Sequence, residues 1–175
     1  MRSLFLLICL CVFTRSYAGG DVDVNFLRQE YYKCVSDADR TYTLHHKLVA
    51  LKSNKPLVIG FIGALEALKA KHAWNPYKKM EHLNAAIVTL DKAIKAEPDN
   101  IEIRFLRYTV EYFVPAFLGY SKHIAEDKQV IISGIQQRKF TAQEVFLVEN
   151  IIKFFEERKE CNPSELVLMR NALKQ

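Results

Sequence analysis

Apolar residues recur at helical spacing along nearly the whole chain after residue 22. Val24, Leu27, Tyr31 and Cys34-Val35 fall on one face of a first helix, and Tyr42, Leu44, Leu48, Val49 and Leu51 support a second that starts near Asp37 or Asp39. Pro56 stands where a first helical residue belongs and opens a third helix to about Trp74. Its apolar residues surround the axis, which predicts a central, buried element. Gly60, Gly63, Ala64 and Ala67 form a stripe of small residues along it, where a neighbouring helix can approach closely. Asn75-Pro76 caps and opens a fourth helix with the clearest stripe of all: Leu83, Ala86, Ile87, Leu90, Ala93 and Ile94, ending at Glu97-Pro98.

The second half continues the pattern. Asp99 with Glu102 predicts a capped fifth helix. Ile101, Phe105, Tyr108 and Tyr112 line one side of it, and Ile103, Leu106, Val110 and Phe113 another, so it too belongs in the centre. Pro115 ends it, and Phe117-Leu118-Gly119-Tyr120 reads as a connector that needs burial. A sixth helix runs from about Ser121 through Ile132, followed by a polar loop from Gly134 to Phe140. Thr141 with Glu144 caps a seventh, carrying Val145, Phe146, Val148, Ile152 and Phe155. Asn162-Pro163 with Glu165 caps an eighth, carrying Leu166, Leu168, Met169 and Leu173. No alternating β-branched run with hairpin chemistry occurs. The expectation is an all-α protein of about eight helices in antiparallel hairpins, packed into a compact globule.

Before this pattern begins, the chain carries an address. Arg2, the apolar run Leu4 to Phe13, and Ser16-Tyr17-Ala18 before Gly19 have the form of a secretory signal peptide cleaved after Ala18. A membrane span needs about 20 apolar residues, and Arg15 interrupts this run. The domain plan is therefore a signal peptide over 1–18 and one helical domain over 19–175, exported to a periplasm or secreted.

Charge narrows the partners. The formal net charge is +5, and removing residues 1–18 takes Arg2 and Arg15 with it, leaving +3. The remaining charges are mixed in sign, with no run of five alike and no basic stripe interleaved with aromatics. No nucleic-acid partner is expected on this ground. The apolar run Pro56 to Leu65 is too short for a stable membrane span.

Two cysteines remain in the mature chain, Cys34 and Cys161. In an oxidising compartment they permit one disulfide, which would close a loop of roughly 128 residues and contribute about 4–5 kcal/mol in the loop-entropy view. The alternative is two ordinary core thiols.

Helix four carries a further spacing. Ala86, Leu90, Ala93 and Pro98 place a small residue, a large one, a small one and then Pro, and this resembles the second-helix half of a tetratricopeptide repeat. The stretch Leu90-Asp91-Lys92-Ala93-Ile94 leading to Glu97-Pro98-Asp99-Asn100 carries the likeness. The first-helix positions match only at Tyr77, and the next period is a poor copy, so the resemblance covers a degenerate core over about 57–133. Ala70-Lys71-His72 with Asn75-Pro76, Ile101 to Arg107, and Phe117-Leu118-Gly119-Tyr120 are also similar to a group of small exported helical proteins of Bacteroidota with no assigned activity. The first resemblance implies a groove for a protein or peptide partner in the cell envelope; the second implies fold and compartment only.

Candidate chemistry is sparse. His45, His46, His72, His82 and His123 lack the spacing of a zinc site, and no His-Glu-x-x-His is present. His72 and His82 flank the Asn75-Pro76 turn and are placed to face each other, with Glu66 or Glu81 as the nearest third ligand, and exposed or packed histidines are the simpler reading. Gly119-Tyr120-Ser121-Lys122-His123 lacks the second glycine and the preceding strand of a nucleophile elbow, so Ser121 reads as a helix cap. Glu156-Glu157 and Glu126-Asp127 read as solvated neighbours. No catalytic residue, metal or cofactor is expected.

The polar set on helix five is the sharper candidate. Arg104, Arg107 and Glu111 share a narrow sector of an apolar helix. They form either a solvent strip with an Arg107–Glu111 pair or a groove in which two guanidinium groups hold an anionic group such as a peptide carboxylate. Trp74, Tyr77 and Tyr120 stand at helix ends or in the connector, where aromatics either plug the bundle or anchor a partner. The expected function is a non-enzymatic protein- or peptide-binding module. The alternatives are a small-ligand carrier or enzyme with a pocket between the central helices, and a structural homo-oligomer.

Overall fold

A computed structural model describes residues 22–174, so the expected signal peptide lies outside the described residues. Within them the chain is all-α. Eight helices follow in order: α1 (Val24–Cys34), α2 (Ala38–Ala50), α3 (Pro56–His72), α4 (Pro76–Ala96), α5 (Ile101–Phe113), α6 (Ile124–Gln137), α7 (Ala142–Glu157) and α8 (Pro163–Ala172), with one 3-10 turn at Ala116–Leu118. No strand occurs among the described residues, and none of their helices is long and apolar enough to cross a membrane.

Local chemistry sets most of the boundaries. Asn75 accepts from the Tyr77 amide, and Pro76 follows at the first helical position. Thr141 with Glu144 and Asn162 with Glu165 each complete a reciprocal capping box. At α5 the cap is Asn100 rather than Asp99: its side chain accepts from the amides of Glu102 and Ile103.

α3 lies between α2 and α4. The α3–α4 contact is the closest, as the small-residue stripe requires. A Cβ added at Gly63 would stand 2.8 Å from Leu90 Cγ, 3.0 Å from the Leu90 amide nitrogen and 3.1 Å from the Ala86 carbonyl oxygen. Gly60 is roomier, with its nearest neighbours, in Ile103 and Leu106, at 3.5 Å.

α5 joins two apolar cores. Leu106 and Val110 pack with Leu44, Leu48, Phe61, Leu65, Leu83 and Leu90 of the first four helices. On the opposite side Ile101 and Tyr108 pack with Ile131, Ile135, Val148, Ile151, Phe155 and Met169. With about 100° per residue, these faces occupy different sides of α5, and the sector between them holds Arg104, Arg107 and Glu111.

Two sequence expectations change, and one open alternative is narrowed. α6 begins at Ile124 and continues through Gly134 to Gln137; a Cβ at Gly134 would stand 2.6 Å from Ile101 Cγ2, so the glycine is an approach point within the helix, not the start of a loop. The 115–120 connector is not buried, for Phe117 is 86% exposed. Of the two alternatives for Cys34 and Cys161, the structure has the free thiols, placed in separate cores. Burial raises both thiols, Cys161 to about 11.

Candidate functional site

The polar sector of α5 is closed. Arg104, Arg107 and Glu111 are all buried, and each is bonded within the chain. Asp127 of α6, fully buried, is the centre. Arg107 grips it with two bonds, Nε to Oδ2 and Nη2 to Oδ1, both 2.8 Å, and reaches Asp91 of α4 with Nη1 at 2.8 Å. Arg104 Nη1 donates to Asp127 at 2.8 Å and to Glu126 at 2.6 Å, while its Nε donates to the Pro98 carbonyl at 2.7 Å. Glu111 accepts from the backbone amide of His123 at 2.8 Å and from its ring Nδ1 at 2.6 Å.

This corrects four readings. The sector is neither a solvent strip nor an open anion groove, since the guanidinium groups already hold carboxylates. The Arg107–Glu111 pair gives way to Arg107–Asp127 and Glu111–His123. Of Glu126-Asp127, Glu126 is exposed as expected and Asp127 is buried. Ser121 does not cap α6, whose N-cap is His123, held by Glu111. Buried charges persist only when paired and hydrogen-bonded, and this set ties α4, α5 and α6 together. A matching pair ties α1 to α5: Arg28 Nε and Nη2 each meet a Glu102 oxygen at 2.7 Å.

The histidines also find internal partners. His72 does not face His82; its Nε2 donates to the Cys34 carbonyl at 3.1 Å. His82 of α4 instead donates from Nδ1 to Glu66 Oε2 at 2.9 Å, and His45 of α2 donates from Nε2 to Glu66 Oε1 at 2.7 Å. Lys69 adds an ammonium at 3.0 Å from the same oxygen. Burial opposes ionisation of Glu66, but the hydrogen bonds from His45, Lys69 and His82 outweigh it and bring its pKa down to about 2. Glu66 is thus a carboxylate clamp across α2, α3 and α4, with an ammonium where a cation would otherwise sit. Among the described residues no group of three or more His, Cys, Asp or Glu is arranged to hold a metal ion.

Two open depressions lie elsewhere: one of about 320 Å³ between α1 and α2, bordered by Phe26, Glu30, Arg40 and Lys47, and one of about 370 Å³ at Pro163, Val167 and Leu168 of α8. Neither contains a candidate from the sequence.

The aromatics behave differently. α3 ends at His72, and the extended backbone of Ala73 turns the chain off the helix axis, which leaves Trp74 97% exposed. Tyr77 is 87% exposed. It stands nine positions before Ala86, half a revolution from the buried stripe of α4 at about 100° per residue. Neither plugs the bundle. Tyr120 is half-buried, and its hydroxyl donates to Asn84 Oδ1 on α4.

The corner that carries Trp74 and Tyr77 is firmly built. Lys71 donates to the Val35 carbonyl at 2.6 Å, tying it to the α1–α2 turn, and Lys79 donates to the carbonyls of Ala70 and Lys71 at 3.3 Å each. Those lysines, with Lys78, are exposed around the two rings. Sequence reasoning picked out the rings but not the cationic collar, because the lysines are interleaved with His72 and Glu81 and form no run. No family model, curated protein or solved structure matches the chain.

Proposed function

We propose that this chain is a non-enzymatic docking module, a helical scaffold that presents the α3–α4 corner to a partner. The observation that supports it is the exposure of Trp74 and Tyr77, 97% and 87%, on a corner fixed by the Asn75 cap and the Lys71 and Lys79 bonds. Large aromatics cost little conformational entropy to immobilise and carry much of the binding energy where they contact a partner. The contrast with the α5 sector supports the choice: there the polar groups meet internal partners, whereas the corner rings rest on nothing. The tetratricopeptide resemblance falls on the same hairpin, through Ala86, Leu90, Ala93 and Pro98, and agrees with a scaffold built from helix pairs.

The test is site-specific photo-crosslinking in producing cells, with the probe at position 77 and, as control, at the exposed Lys92 further along α4. Adducts enriched at 77 over 92 support the reading. Equal yields at the two positions contradict it.

A further inference from the structure

We infer that the α3–α4 corner docks on an anionic lipid surface, with Trp74 and Tyr77 seated at the membrane interface and the neighbouring lysines on the headgroups. The inference rests on the docking reading and names its partner.

The shape of the corner carries the argument. A peptide-binding site surrounds its ligand with walls, and an anchoring aromatic in such a groove is itself partly enclosed. Trp74, at 97% exposure, has no walls. It stands on a convex turn between two helices, as does Tyr77. A convex, rigid aromatic corner fits a partner that deforms to receive it, and a bilayer interface does so. Trp and Tyr are also the side chains that favour that depth, with the ring body against the acyl boundary and the polar edge among headgroups.

Charge complements the shape. Lys71 and Lys79 donate to backbone carbonyls at the C-terminal ends of α1 and α3, whose partial negative charge offsets only part of theirs. Lys78 pairs with Glu81 at 2.7 Å, and Asp37 across the adjoining turn pairs with Arg40 at 3.1 Å. Asp39 is exposed in the first turn of α2, so the corner is cationic at its tip and mixed behind it. Lysine stems are long enough to keep an ammonium at the phosphate plane while the rings sit deeper. The contact is peripheral: two rings and a collar of lysines, with no segment crossing the bilayer.

The protein carries its own reporter, because Trp74 is the single tryptophan of the chain. The expected mature chain, residues 19–175, is mixed with vesicles of phosphatidylcholine alone, or with three parts in ten replaced by phosphatidylglycerol. The expected result is a blue shift of Trp74 emission and co-flotation on the anionic vesicles. W74A/Y77A lowers partitioning at least about tenfold. K78Q, which breaks none of the backbone ties of the corner, lowers partitioning onto anionic vesicles by up to about fivefold, without a matching effect on neutral ones. Because both aromatic positions are solvent-facing, W74A/Y77A keeps its helical circular dichroism.

Wild-type emission and flotation unchanged by either vesicle would overturn the inference, and a protein adduct at position 77 would then show that the docking reading stands with a protein as partner. Flotation retained in full by W74A/Y77A places the lipid contact elsewhere and also overturns it. No lipid effect together with no enrichment at 77 over 92 removes both.

Discussion

The α5 sector and the α3–α4 corner hold the two most suggestive groups of side chains in this protein, and the structure treats them in opposite ways. Arg104, Arg107 and Glu111 look like binding residues until Asp127, Asp91 and His123 close around them. Trp74 and Tyr77 look like bundle plugs until the chain turns them outward. The difference lies in what a side chain requires once water is removed. A buried guanidinium must find a carboxylate, so a charged stripe on a central helix signals an internal clamp. An aromatic ring has no such requirement and stays exposed wherever the backbone leaves the core.

The strongest way to break that contrast is to remove the centre of the clamp. Asp127→Ala leaves two buried guanidinium groups short of partners and should cost about 3–5 kcal/mol, read as a drop in the denaturant midpoint at unchanged slope. A loss below about 1 kcal/mol would mean that water reaches the sector and that its burial has been misjudged.

Glu66 gives the same comparison a pH axis. Its pKa falls from 4.5 in the unfolded chain to about 2 in the fold. A carboxyl with a depressed folded pKa stabilises fully above the unfolded value, and that contribution is lost as pH falls through the folded one. Relative to wild type, Glu66→Gln should therefore lower stability by on the order of 3 kcal/mol at neutral pH. The gap should close between pH 4.5 and about 2. A gap that stays constant with pH across that window would show that the clamp works without its charge.

The footing of the corner can be probed through its glycines. Gly63→Ala forces a methyl against Leu90 and the Ala86 carbonyl and should cost about 1–3 kcal/mol from overpacking, less the roughly 1 kcal/mol that alanine gains in a helix. Gly60→Ala meets only ordinary contacts and should be neutral or slightly stabilising. Equal effects at the two sites would contradict the close α3–α4 approach.

Much of this fold was legible along the chain because helix starts are marked locally: Asn75-Pro76, Thr141 with Glu144, and Asn162-Pro163 with Glu165 all cap where they stand. The small-residue stripe on α3 also named its own use. What failed depended on residues distant in sequence. α6 starts where Glu111, twelve positions earlier, takes the His123 amide, so nothing near Ser121 marks it. Gly134 lies inside α6 and leaves the space that Ile101 fills, so its glycine marks a contact and not a loop. Asp127 looks solvated beside Glu126 until two arginines from another helix enclose it. The rings at 74 and 77 were visible as candidates, but their exposure depends on where α3 ends, and that is decided by a single extended residue, Ala73.

The smallest stability effect belongs to the corner. W74A/Y77A should move the unfolding free energy by no more than about 0.5 kcal/mol while lowering docking at least about tenfold. A larger loss, measured by chemical denaturation, would make the rings part of the core.

The most direct measurement is protection of the corner in its own setting. A maleimide-labelling rate is taken for K78C, beside the two rings, and for K92C further along α4, first on purified protein and then in the cells that produce it. The account predicts similar rates at both positions in the purified protein and at least about tenfold slowing at position 78 alone in cells, the protection expected of a contact worth about 1.4 kcal/mol or more. Equal rates at the two positions in cells would contradict it.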